Sequence, residues 1–226
     1  KGRLILPQVQ VLREVLDAGA MALTVKESEV ADMLRGLAAK PALVITDSQA
    51  VREVAAAVPE DIRLTTFSTL FARYKGDFAA QLAGAAAIDT LKDGDRVLIA
   101  EGCSHHVTCD DIGRVKIPNW MKKYTGRELK FEWTQGADFP DNLEDYALVV
   151  HCGGCMLNRA EVRRRINECA RQGVKVTNYG IVISKMQGVL ERVVKGIADA
   201  GATGSVSATG SISDTGSISD TGEEGD

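Results

Sequence analysis

Nothing in this chain approaches the roughly 18 consecutive apolar residues of a membrane-spanning helix, and no charged-then-apolar leader opens it. The sequence therefore predicts no membrane association. Net charge is also scarce. Five of the 31 acidic residues and none of the 27 basic ones fall in residues 201–226, leaving 27 bases against 26 acids in residues 1–200. A neutral body gives no electrostatic footprint for nucleic acid. No Gly-x-x-x-x-Gly-Lys-Ser/Thr loop occurs, so the phosphate cradle of nucleotide hydrolases is missing. No paired acid/base constellation of an enzyme pocket is visible either. Five cysteines are too few, odd in number and too scattered for a disulfide framework, which points to reduced thiols in the cytoplasm. The opening Lys1, with no methionine before an apolar run, leads us to expect a piece of something longer.

What is present is concentrated. All three histidines and four of the five cysteines fall into two groups, Cys103, His105, His106 and Cys109, then His151, Cys152 and Cys155. Thiolates and imidazoles crowded at short spacing suit a metal ion or an iron–sulfur cluster, because both bind sulfur strongly. The Cys152-x-x-Cys155 step lets two sulfurs of one loop reach a single centre. The competing reading is buried cysteines with hydrogen-bonded core histidines. Cys169 belongs to that second class, since it shares a helical stripe with Val162, Ile166 and Ala170.

Short β-rich runs recur at Leu4–Leu6, Ala22–Val25, Leu43–Thr46, Leu64–Phe67, Val97–Ala100, Leu129–Trp133, Ala147–Val150 and Val174–Thr177. Helical patterns follow them, which implies βαβ units and an α/β fold. We expect two consecutive subdomains with largely parallel sheets flanked by helices, and a flexible C-terminal tail. The first subdomain spans residues 1–75, the second 76–200 and the tail 201–226. Asp47-Ser48 should start a helix burying Val51, Val54, Ala55 and Val58, and Asn158 with Glu161 should start another. A long helical stretch from Ser68 to about Leu91 should join the subdomains, with Phe67, Phe71, Tyr74 and Phe78 as a packing stripe. Arg163, Arg164 and Arg165 read as a solvated helix face, with attraction of an anionic ligand as the alternative. A lone unit of about 75 residues is marginal and its sheet edges need covering, so self-association through residues 1–75 is expected. The tail carries three Gly-Ser-rich hexads, at residues 204–209, 210–215 and 216–221, which cannot bury enough apolar surface to order themselves.

The apolar runs 97–100 and 147–150 lead straight into the two ligand groups, which places those groups beyond the carboxyl ends of strands. If those strands are neighbours, Cys103, Cys152 and Cys155 converge. Gly153-Gly154 would let backbone N–H groups approach the sulfurs, and the helix starting near Asn158 would aim its positive end at an anionic cluster. Three thiolates complement three irons of a 4Fe–4S cube, leaving the fourth to histidine or another ligand.

Cys103-x-His105, followed 46 positions later by His151-Cys152-x-x-Cys155, resembles the cluster signature of HydF, the FeFe-hydrogenase maturation GTPases. The flanking stretches Gly2–Gln10, Phe71–Gly76, Asp110–Pro118 and His151–Asn158 agree with it over about residues 1–200. The resemblance implies a dimerisation domain over residues 1–75 and an iron–sulfur cluster domain over 76–200, without the family's GTPase domain. It further implies a 4Fe–4S cluster on Cys103, Cys152 and Cys155, with His105 and His151 as the motif histidines. His106 and Cys109 lie outside the minimal signature as possible additional ligands.

The function so implied is a non-enzymatic scaffold or carrier. It would hold a diiron precursor bearing carbonyl and cyanide ligands and pass it to apo-FeFe-hydrogenase. Its partners would be a second copy in a homodimer, that hydrogenase and the two radical-SAM hydrogenase maturases. The alternatives are a structural zinc-binding module, since Cys/His pairs also satisfy tetrahedral zinc, and a small iron–sulfur redox protein.

Overall fold

The computed structural model describes residues 4–103 and 111–198. His105, His106, Cys109 and the hexad tail therefore lie outside the described residues. The chain opens with helix α1 (Leu6–Asp17), which has Pro7 in its first turn, where the missing N–H forfeits no bond. Leu6, Val9, Leu12 and Leu16 repeat at spacings of three and four, so the expected strand at Leu4–Leu6 is instead the entry to a helix. The expected strand at Ala22–Val25 is irregular backbone. No residue of α1 is buried, and Leu6, Val9 and Leu16 are 40%, 47% and 55% exposed.

After α2 (Val30–Gly36) come β1 (Val44–Thr46), α3 (Val51–Ala57) and β2 (Leu64–Thr66). The two strands pair in parallel with Val44 opposite Leu64. Val51, Val54, Ala55 and Val58 are all buried as expected, and the core adds Val30, Ile62 and Leu64. The expected cap at Asp47 is not made. Its carboxylate accepts from Gln8 Nε2 at 2.7 Å, tying α1 to the end of β1.

The single helical stretch expected over Ser68–Leu91 is broken into α4 (Phe67–Lys75) and α5 (Phe78–Ala86). Thr66 caps the first and Asp77 the second, each side chain accepting a backbone N–H three residues on. Phe71 is buried, Tyr74 is exposed and Phe78 starts the next helix, so the aromatic stripe does not exist as one face.

The second sheet comprises β3 (Arg96–Ala100), β4 (Lys130–Thr134), β5 (Leu148–His151) and β6 (Lys175–Asn178), all parallel, in the order β4-β3-β5-β6. Around it lie α6 (Ile117–Thr125), α7 (Arg159–Arg171) and α8 (Tyr179–Met186), and α9 (Leu190–Ala198) ends the described chain. Leu98, Ile99, Ala100 and Leu148 to Val150 are fully buried because helices cover both faces. Ile117, Met121, Val182 and Ile183 fill one side; Val162, Ile166 and Cys169 fill the other. Cys169 is a core residue, as its stripe predicts, whereas Ala170 faces solvent.

Asn158 caps α7, accepting from the Glu161 N–H at 2.8 Å. Glu161 does not reach back to complete a capping box, because its carboxylate holds Arg164 and Arg165 instead. Arg165 is 1% exposed, which corrects the expectation that the three arginines form a solvated face. Two glycines mark the tightest approach of helix to strand backbone. A Cβ at Gly84 would overlap the Val176 carbonyl and one at Gly196 the Leu64 carbonyl, so α5 lies directly on β6 and α9 directly on β2. Arg192 of α9 also donates to the carbonyls of Ala55, Val58 and Pro59. The units are consecutive through α8, but the last helix returns to the first sheet. Among the described residues, no helix is long and apolar enough to cross a membrane.

Candidate metal centre

β3 and β5 are neighbours, with Ala100 paired to His151. From β3 the chain moves to β4 on one side, while β5 and β6 lie on the other. The crevice between the carboxyl ends of β3 and β5 is thus the point where the winding reverses, the usual position of a site in an open parallel sheet. Glu101-Gly102-Cys103 leaves one side of that crevice and Cys152–Cys155 the other. The Cys152 N–H extends the ladder to the Ala100 carbonyl at 2.9 Å.

The sulfur of Cys152 accepts two backbone N–H groups, from Gly102 at 3.1 Å and from Gly154 at 3.3 Å. Both donors are glycines for steric reasons. A Cβ on Gly102 would collide with Leu157, and Gly154 takes a φ of +65° that side chains disfavour. Burial pushes the Cys152 thiol up, against the pull of these two N–H groups. Burial likewise raises Cys155, opposed by the Met156 N–H and by the Lys75 charge. Amide donors aimed at sulfur suit a thiolate bound to a metal centre better than a neutral thiol, which accepts weakly. The donor set at this crevice therefore fits an iron–sulfur group. Among the described residues, no three Cys, His, Asp or Glu side chains close on one point. Cys103, half-buried, stands at the start of the segment outside the description.

His151 behaves differently from its place in the motif. It is the last residue of β5 and 1% exposed. Successive strand residues face opposite sides, so its ring turns toward α7, with Arg165 and Glu161 nearby, while Cys152 packs on the other core. Its Nδ1 lies 2.7 Å from the Cys152 carbonyl. That oxygen can only accept, so Nδ1 carries the proton. Burial takes the imidazole down to about 4, which keeps it neutral. His151 braces the Cys152 peptide from behind.

Four residues at the site carried no signal in the reading of ligand types. Lys75, 8% exposed at the end of α4, donates to the carbonyls of Gly154 at 2.9 Å, Cys155 at 3.4 Å and Leu157 at 2.7 Å. Gln10 of α1 donates to the same Cys155 carbonyl at 3.3 Å. Glu101, buried beside Cys103, lies within 3.4 Å of the Tyr179 hydroxyl and of Arg114. Arg165 borders a cleft of about 360 Å³ with Gly102, Gly136, Leu157, Glu161 and Arg164. An acid directly after a buried strand was the available hint for Glu101. Lys75 reads in sequence as an ordinary cation at a helix end.

Comparison with known families decides the relationship. Residues 1–76 match the hydrogen maturase F dimerization domain, and residues 79–196 match the hydrogen maturase F tetramerization domain. The chain belongs to the HydF family. The two HydF domains meet at the break between α4 and α5, and together they cover nearly all described residues. The search of curated proteins found no match. Membership gives the chain a role in hydrogenase maturation, and both HydF domains are self-association domains. The exposed apolar residues of α1 lie in the dimerization domain.

Proposed function

We propose that this chain is a cytoplasmic scaffold and carrier, not a catalyst, in FeFe-hydrogenase maturation. Cys103, Cys152 and Cys155 hold a 4Fe–4S cluster at the β3/β5 crevice. When bound, the cluster supplies an iron without a protein thiolate, an exchangeable attachment point. The cargo is a diiron precursor with carbonyl and cyanide ligands, received from the radical-SAM maturases and passed to apo-hydrogenase. The observation that carries the reading is the pair of N–H donors from Gly102 and Gly154 on the Cys152 sulfur, at the winding reversal of a HydF-family sheet. Arg164 and Arg165 add positive charge beside it, partly offset by Glu161. His151, turned into the core, supports the loop and is not needed as a ligand.

Anaerobic reconstitution followed by iron, sulfide and electron paramagnetic resonance analysis tests the cluster. The cargo step is tested by loading a synthetic diiron carbonyl–cyanide complex. Infrared bands should survive desalting, and mixing with apo-hydrogenase should produce hydrogen evolution. Cys152→Ser should abolish both. A colourless protein holding zinc would overturn the cluster reading. Activation no better than with the free complex would overturn the carrier reading.

A further inference from the structure

The loop that carries Cys152 and Cys155 is held from outside its own domain. Lys75 ends α4 and Gln10 lies in α1, both within the stretch matched as the dimerization domain. Between them they make four hydrogen bonds, all to carbonyls of residues 154, 155 and 157. Three carbonyl acceptors on one nitrogen require three N–H donors, which an ammonium has and a neutral amine lacks. The cation sits 4.9 Å from the Phe71 ring centroid, a further stabilisation of its charge.

A trans peptide is planar, with its C=O and N–H pointing opposite ways. Pulling the Gly154 and Cys155 carbonyls toward Lys75 therefore turns the N–H groups of Cys155 and Met156 the other way. Those two N–H groups flank the Cys155 side chain in sequence. On the preceding peptide, the Gly154 N–H donates to the Cys152 sulfur at 3.3 Å. We infer that Lys75 and Gln10 are positioning residues of the metal centre: the dimerization domain grips the carbonyl side of the 152–157 loop, and this fixes the peptide planes on either side of Cys155 and so the placement of its thiol beside Cys152. Lys75 also places a buried positive charge beside a site that carries negative charge when metallated. This assignment rests on the reading of Cys103, Cys152 and Cys155 as cluster ligands for its electronic part only. The positioning part holds without a metal.

Two readouts separate these parts. In the cluster-free full chain, amide hydrogen exchange is followed for residues 154–158 in wild type, Lys75→Met and Gln10→Leu. Methionine keeps the length and apolar bulk of lysine while removing the donors and the charge. Exchange there should rise at least tenfold in Lys75→Met and by less in Gln10→Leu, with the β3 and β5 amides unchanged. Unchanged exchange at residues 154–158 in both variants refutes the positioning role, and this outcome does not depend on any cluster. Should Lys75→Met fail to fold, Gln10→Leu alone decides on the same criterion. In reconstituted protein, a paramagnetic-resonance redox titration reads the second part. Hydrogen bonds to sulfur and nearby positive charge both favour the reduced cluster. Lys75→Met should lower the reduced-to-oxidised ratio at fixed potential by tenfold or more, equivalent to ~59 mV for one electron, and Gln10→Leu should lower it less. Equal potentials in all three proteins refute the electronic role. Failure of wild type to take up iron refutes the cluster reading, and the electronic role with it, and leaves the exchange result standing.

Discussion

Serine in place of cysteine separates the packing thiol from the ligand thiols. Cys169 is fully buried in the apolar core between β5 and α7, against Leu143, Val149, Val162 and Ile166. Burial pushes its thiol up to about 12, so it is a neutral, weakly polar side chain at any ordinary pH. Cys169→Ser replaces the thiol with a more polar hydroxyl in an apolar surrounding, which costs about 1–3 kcal/mol. With a urea slope of about 2 kcal/mol/M, that lowers the unfolding midpoint by roughly 0.5–1.5 M. Iron uptake should stay near wild type, and the thiol should resist alkylation at pH 8 until the protein unfolds. Cys152→Ser has the reverse pattern. A serine oxygen can accept the same Gly102 and Gly154 N–H groups that the sulfur accepts now. The cluster-free fold should therefore change by less than about 1 kcal/mol. Iron content should collapse, because a hydroxyl replaces a thiolate poorly on iron. Urea denaturation of cluster-free protein and iron analysis after reconstitution give the two axes. A folded Cys169→Ser variant that loses iron as completely as Cys152→Ser refutes the division into core and ligand.

Lacking a phosphate-binding loop in its sequence, the chain should show no GTP binding in calorimetry; micromolar affinity contradicts this. Gly84→Val should be unable to dock α5 on β6, since its Cβ meets the Val176 carbonyl, and should cost at least about 3 kcal/mol in chemical denaturation. Val9→Asp with Leu16→Glu charges the exposed apolar residues of α1 and should lower the mass seen by light scattering without loss of helicity; an unchanged mass moves the contact elsewhere. Glu161 is held down to about 2, first by its bond to Arg164, then with help from Arg165. The stability it contributes is complete above its ordinary 4.5 and is lost as pH falls toward 2, so Glu161→Gln should flatten that acid limb in a denaturation series.

Six of the eight expected strands exist because each finds a parallel partner in a sheet; five are short runs with β-branched residues, and the edge strand β4 alternates Phe131 and Trp133 with charged residues instead. The two that fail share a cause. Leu4–Leu6 and Ala22–Val25 are apolar but have no described strand to pair with, and apolar residues alone do not distinguish a strand from a helix entry or an exposed face. Pro7 was the local signal for the first. The long helix failed because Asp77 is a better cap than a mid-helix residue, and Gly76 before it lowers the cost of stopping. The return of α9 to β2 could not be read, since Gly196 and Arg192 look like ordinary helix residues until the partner backbone is known.

The candidate centre was legible by residue type but not by direction. Cysteine pairs following two buried strands announce a site at the strand ends, and the pairing of Ala100 with His151 brings those ends together. Type alone gives His151 the same standing as Cys152. Strand geometry does not, because adjacent residues at the end of a strand face opposite sides, and here the ring goes into the α7 side with its Nδ1 proton on the Cys152 carbonyl. The converse holds for Lys75. Its type excludes it from ligation, yet its three carbonyl bonds fix which way the loop's N–H groups point. A motif of potential ligands thus names the atoms that can touch a metal. The residues that orient those atoms are chosen by backbone polarity, and in this chain they come from the neighbouring domain.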